Sequence, residues 1–195
     1  MGLFYTGKGD SGKSVIGKKK IDKTCVEIAA LGDLDELNSL IGVAKARKLS
    51  AVTKKILHTV QENLFIIQAN VANIMLGGKY KSPAFPKTKI TEIERIIDEC
   101  ERKLKPERGF IISGVNETSA LLDYVRAVSR RAERSALVFY KNYKSKKQGV
   151  MINHNTLLPD SAIMAYLNRL SSLFFALGRM EAKKSHKREK HPKYK

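Results

Sequence analysis

From Val26 onward the apolar residues of this chain recur at three- and four-residue steps, a period that constrains the fold more than any other feature. Val26, Ala30, Leu34, Leu37, Leu40, Ile41 and Ala44 make one stripe, which predicts a helix from about Cys25 to about residue 48. Ser50 suits the N-cap of a second helix, striped by Ile56, Val60, Leu64, Ile67 and Val71 and closed by Gly77-Gly78. Pro83 and Pro86 mark a linker. The capping-box spacing of Thr91 and Glu94 then opens, or lies near the start of, a predicted third helix carrying Ile93, Ile97 and Leu104. A break from Pro106 to Gly114 has an apolar centre, Phe110-Ile111-Ile112. A long fourth helix follows from about Glu117 to Tyr143, then a basic Lys/Gly loop. Pro159 suits the first turn of a fifth helix that continues to about Lys183.

No internal repeat and no convincing strand alternation interrupts this pattern. The expected fold is all-α: a five-helix antiparallel bundle, four helices long and one shorter, as a single domain over 1–183. Residues 1–23 are rich in Gly and Lys and are expected to be an extended loop, an N-terminal arm lying on the bundle. Residues 184–195 are expected to be a basic disordered tail.

At 195 residues and 43% hydrophobic content, the chain can bury a substantial core. No apolar run is long enough to span a membrane. The opening residues turn polar too soon for a secretory signal. Two distant cysteines, Cys25 and Cys100, point to a reducing, cytoplasmic compartment and away from a cysteine zinc site. The four histidines lack the spacing of a His-ligated catalytic metal, so no protein-held metal is expected. The net charge of +18 favours an anionic partner. Seven Lys or Arg against one Glu in 183–195 account for part of it.

Three constellations carry chemistry. The first, Gly7-Lys8-Gly9-Asp10-Ser11-Gly12-Lys13-Ser14, spells both the phosphate-loop pattern GxxxxGK(S/T) and the dinucleotide pattern GxGxxG. Both motifs belong between a buried strand and a helix start, a context this all-helical chain lacks. The residue types still suit an anion, because glycines turn backbone N–H groups toward it while Thr6, Lys8, Lys13 and Ser14 add donors. The alternative is a flexible terminal segment. The second is Arg126, Arg130, Glu133 and Arg134, whose spacing places them on one helix face. Either an anionic ligand or carboxylates such as Glu133 must compensate those guanidiniums. Arg131, one step round, is ordinary surface charge in that reading. The third is Gly32-Asp33-Leu34-Asp35-Glu36-Leu37-Asn38-Ser39, where acidic groups either hold the arginines or form a solvated helix start.

Together with Tyr166-Leu167-Asn168-Arg169-Leu170-Ser171, these segments resemble the PduO-type ATP:cob(I)alamin adenosyltransferases, in order and spacing, over about residues 4 to 180. The resemblance implies a trimer of five-helix bundles with ATP between neighbouring subunits. It assigns Thr6, Gly7, Lys8, Gly9, Ser14 and Lys23 to the triphosphate. Arg126, Arg130, Arg131, Glu133, Arg134 and Asn168 would complete the ATP site. Arg130, Arg134 and Asp35 would be catalytic, Asp35 by pairing with an arginine of Arg130-Arg131-Ala132-Glu133-Arg134. Phe110 would pack on the corrinoid and exclude its lower axial ligand. The chain departs from the family pattern at Ser113-Gly114-Val115, usually Pro-Gly-Gly. It also departs at Ser172, usually Asp, and at Asp123, commonly His.

The activity so implied is attack by cob(I)alamin on C5′ of ATP with triphosphate leaving, Mg²⁺ accompanying the phosphates. Co(I) is itself the nucleophile, so no catalytic triad is required. A flavoprotein reductase and a cobalamin-dependent mutase are the implied partners. Two other readings stand beside this one: a basic helical module binding nucleic acid, and a non-catalytic ATP and cobalamin delivery protein.

Overall fold

The computed structural model describes residues 4–106, 109–148, 161–185 and 188–194, with side chains described outside 144–148 and 161. Its elements are β1 (Lys13–Ile16), β2 (Lys19–Asp22), α1 (Val26–Lys45), α2 (Ala51–Met75), α3 (Thr88–Leu104), α4 (Glu117–Gln148) and α5 (Ser161–Lys183). The five expected helices are present, α3 being the shortest.

The apolar stripes meet in one core. Leu34, Leu37 and Ile41 of α1, Leu57, Leu64 and Ile67 of α2, Leu122 and Val125 of α4, and Leu167, Leu170 and Phe174 of α5 are all fully buried. Each such Leu, Ile or Phe adds about 2 kcal/mol over leaving it in water. Cross-contacts give the directions. Asp33 meets Ser135 while Glu36 meets Arg131, so α1 and α4 are antiparallel. Asn63 meets Tyr166 while Thr53 meets Glu181, so α2 opposes α5. Glu94 meets Arg169 while the Lys103 carbonyl meets Lys183, so α3 runs with α5.

Local chemistry sets most helix ends. Ser50 Oγ accepts the Thr53 N–H at 3.2 Å and caps α2. At the other end the Gly78 N–H bonds the Asn73 carbonyl and the Gly77 N–H that of Ile74, both at 2.9 Å. This Schellman closure needs the positive φ (82°) that Gly77 supplies. Asn116 caps α4, its Oδ1 accepting the Ser119 N–H at 2.8 Å.

Thr91 lies near the start of α3 rather than opening it: the helix begins at Thr88 after Lys87, and Glu94 bonds Arg169 Nε at 2.8 Å instead of turning back to a cap. The tertiary ion pair takes the carboxylate that a capping box would use. Three expectations change. Helix α4 runs on to Gln148, beyond Tyr143. Residues 13–22 of the arm form an antiparallel hairpin, Ser14 opposite Ile21 and Ile16 opposite Lys19, turning at Gly17 with φ 57°. Strands of four residues carrying so many lysines show no readable alternation, which is why sequence presents them as a loop. Residues 188–191 of the tail, expected to be disordered, pack on 110–112. Ile112 N–H donates to the Lys190 carbonyl at 2.8 Å, and His191 Nδ1 lies 2.9 Å from the Phe110 carbonyl. Pro159 lies outside the described residues.

Candidate nucleotide and corrinoid site

The glycine loop is built as two successive turns. Asp10 N–H bonds the Gly7 carbonyl at 3.3 Å and Gly12 N–H that of Gly9 at 3.2 Å, while Gly7 and Gly12 take φ of 65° and 77°. Those positive angles are left-handed backbone that a side chain would strain, and they fold the N–H groups into a small arc. The Lys23 N–H to Gly12 carbonyl bond (2.9 Å) ties the far end of β2 to this loop. Lys23 Nζ then sits so near Gly9 that a Cβ there would lie 3.2 Å from it. The Thr24 hydroxyl and amide, bonding Asp22 at 2.6 and 2.8 Å, hold that carboxyl below its ordinary range and pin the turn that carries Lys23. Thr6, Gly7 and Lys8 are exposed, and Gly9 and Ser14 half-buried. Lys23 lies 14 positions beyond Gly9 in the sequence; the hairpin brings them together.

The arm rests on the C-terminal end of α2. Lys19 Nζ donates to the Met75 carbonyl at 2.9 Å, and Gly17 abuts Leu76. Cations suit such a terminus, where carbonyls lack helical partners.

On α4, Arg130 and Arg134 stand exposed, and neither joins an ion pair among the described residues. Arg126 is half-buried, and its Nε–H is shut from solvent without an acceptor among the described residues. Glu133 does not neutralise them. It accepts Asn168 Nδ2 at 2.8 Å, and Asn168 Oδ1 in turn accepts Arg169 Nη1 at 2.8 Å. A row of guanidiniums is thereby left for an outside anion, flanked by an amide and a carboxylate with set orientations.

The segment from Gly32 to Ser39 does hold an arginine, through Asp33 and Glu36. Arg131 lies with Nε 3.3 Å from Asp33 Oδ1 and pairs through Nη2 with Glu36. The Glu36 hydrogen bond, with Asp33 beside it, pushes the Arg131 guanidinium further toward its charged form. Asp33 also accepts Ser135. Asp35 is exposed and joins no ion pair among the described residues. Arg131 is thus more than plain surface charge: it bolts α4 to α1. Helical period located it one step from Arg130 but could not say that α1 occupies that side.

At the other end of α4, Phe110 is 76% exposed, an aromatic face offered to solvent. The neighbouring cavity of about 420 Å³ is lined by Ile112, Ser113, Gly114, Val115, Arg188 and Lys190. Among the described residues, no group of three His, Cys, Asp or Glu could hold a metal.

A family model described as cobalamin adenosyltransferase matches residues 4–181. The chain belongs to the cobalamin adenosyltransferase family. A corrinoid adenosyltransferase of Mycobacterium leprae is 35% identical over 91% of this chain and 90% of its own length. That of Citrobacter freundii is 31% identical over 91% and 94% respectively. Among solved structures, a variant PduO-type ATP:corrinoid adenosyltransferase from Lactobacillus reuteri, complexed with cobalamin and ATP, superposes with a TM-score of 0.80. It is 25% identical and the match covers 97% of this chain and 99% of that one.

Set within the adenosyltransferase family, three features escaped sequence reasoning. They are the Arg131 bolt, the Glu94–Arg169 pair that supports Asn168, and the tail segment on the Phe110 loop. Arg169 and Arg131 had signals available, since they lie inside the Tyr166–Ser171 and Arg130–Arg134 segments.

Proposed function

We propose that this chain transfers the 5′-deoxyadenosyl group of ATP to cob(I)alamin, yielding adenosylcobalamin and triphosphate, as a cytoplasmic homotrimer with each site between neighbouring subunits. One observation carries the reading: Arg126, Arg130 and Arg134 share a helix face and, among the described residues, none of them pairs with a carboxylate. A triphosphate supplies that missing charge. In the reaction the Co(I) electron pair forms the bond to C5′ while the C5′–O bond breaks, its electrons leaving with the triphosphate. The protein's work is to hold both substrates in line and to stabilise charge on the leaving group.

Arg130 and Arg134 meet the triphosphate from α4, and Arg126 supplies its buried donor. Thr6, Gly7, Lys8, Gly9, Ser14 and Lys23 close on it from the arm. Glu133 and Asn168 border the nucleotide. Arg131 positions α4 from behind, and Asp35 remains free to pair across the subunit boundary. The arm's attachment to α2 supports a shared site: among the described residues, no hydrogen bond or ion pair joins Thr6–Ser14 to Arg126, Arg130 or Arg134 of the same chain. Mg²⁺ would ride on phosphate oxygens, adding countercharge there. Phe110 would pack on the corrinoid and keep its lower axial ligand away. A flavoprotein reductase supplying Co(I) and a cobalamin-dependent mutase taking the product are the partners this chemistry calls for. The free thiols Cys25 and Cys100 support a reducing compartment.

The test is to mix the protein with ATP, Mg²⁺ and chemically reduced cobalamin and follow the absorbance of the Co–C product. Arg130→Ala should lower kcat by about 10²-fold, the usual cost of losing one donor to a developing anion, with helicity unchanged. Wild-type kinetics in that variant would overturn the assignment.

A further inference from the structure

The end of the molecule around Phe110 carries a device that the nucleotide chemistry does not use. Arg179 of α5 and Asp123 of α4 are buried, 4% and 6% exposed, with Arg179 Nη2 2.6 Å from Asp123 Oδ2. Arg179 Nε lies 3.2 Å from Glu189 Oε1, and its guanidinium stacks 5.0 Å from the Phe175 ring. Glu189 belongs to the tail, so a chain of three charges runs from the bundle interior into residues 188–191. Asp123 stands where the family commonly has His, and only its carboxylate gives Arg179 a full ionic partner inside. The same tail segment is held at its other side by the Ile112–Lys190 bridge and by His191 on the Phe110 carbonyl.

An extended strap alternates its side chains. Glu189 turns in to Arg179, and Arg188 and Lys190 turn the opposite way, into the 420 Å³ cavity beside Phe110. Among the described residues, that cavity's lining holds two cations and no carboxylate. Among the described residues neither cation joins an ion pair. Two uncompensated cations in a concave site next to an exposed aromatic suit a ligand that is part flat and apolar, part anionic. The corrinoid meets both terms: a macrocycle for Phe110, and one anionic group, the phosphodiester of its nucleotide loop.

We propose that Arg188 and Lys190 bind the corrinoid's phosphodiester, and that the Asp123–Arg179–Glu189 ion-pair chain is the clamp that positions them. The inference rests on the corrinoid reading of the Phe110 site and adds to it a source of preference among corrinoids.

The experiment measures steady-state KM for reduced cobalamin and for reduced cobinamide, which has the same ring but no nucleotide loop or phosphodiester. Arg188→Ala/Lys190→Ala should raise the cobalamin-to-cobinamide KM ratio about tenfold, the scale of charge-assisted hydrogen bonds lost, while KM for ATP stays fixed. Glu189→Gln should move the ratio the same way by less, since it loosens the clamp and keeps both cations. A ratio equal to wild type in the double variant, with wild-type protein turning over both corrinoids, overturns this inference alone. Absence of any Co–C product from the wild-type protein overturns the enzymatic reading as well. Thermal melts of each variant check folding; the two exposed cations should leave the melting temperature unchanged.

Discussion

Tyr166 and Arg131 show how differently two polar side chains can be spent. Tyr166 is 1% exposed, and burial pushes its phenol up from the ordinary value of 10.0, Asn63 partly countering through a 2.9 Å donated hydrogen bond. The folded state therefore holds that proton more tightly than the unfolded chain does. Its contribution is complete below about pH 10 and is lost as pH rises beyond it, at up to about 1.4 kcal/mol per pH unit. Urea denaturation from pH 9 to 11.5 should show wild-type stability falling more steeply than that of Tyr166→Phe. Equal slopes would show that the buried phenol is not the linked group. Arg131, by contrast, is a surface cation held by two carboxylates, and its worth lies in fixing where α4 stands beside α1. Helical period names Arg126, Arg130 and Arg134 as one face, but which neighbouring arginine meets a carboxylate depends on the partner helix.

At the scale of elements, helix ends separate local from tertiary control. The close of α2 is legible because Gly77-Gly78 and Ser50 act on backbone groups a few residues away. Ser50→Ala should cost about 1 kcal/mol, read as a lower urea midpoint with an unchanged m-value. A midpoint within error of wild type would mean that solvent replaces the cap. The start of α3 is not legible in the same way, because Glu94 finds Arg169 across the bundle. The β1–β2 hairpin and the strap at 188–191 share that property. Each is short and lysine-rich, and each is held by contacts to residues far off in sequence, such as Met75, Phe110 and Arg179.

For the whole molecule, the ring of helices leaves the glycine loop on the α2 end and the guanidiniums on α4. In the proposed trimer, a nucleotide site made of both is completed by a second copy. Co-expressing Lys8→Ala with Arg130→Ala subunits should restore activity that neither variant has alone, since a mixed trimer includes sites with an intact arm and an intact helix. No recovery in mixed assemblies confirmed by sedimentation would argue for sites within one subunit. The net charge of +18 also acts at this scale, drawing ATP in by long-range field. kcat/KM for ATP should fall as salt shortens the screening length from about 10 Å at 0.1 M toward about 3 Å at 1 M. A flat salt profile would remove steering from the account.

What sequence determined alone is whatever depends on near neighbours: five amphipathic helices, the two ends of α2, the arginine face and a glycine loop able to turn its N–H groups to an anion. Those follow from helical period and backbone geometry, which act over a few residues. Tertiary structure decided which charges are already spent and which are free. It joined Lys23 to Gly9, gave Arg131 to Asp33 and Glu36, gave Glu133 to Asn168, and bent the basic tail back onto the Phe110 loop. Ion pairing depends on distance in space, and no local pattern in the chain encodes that distance.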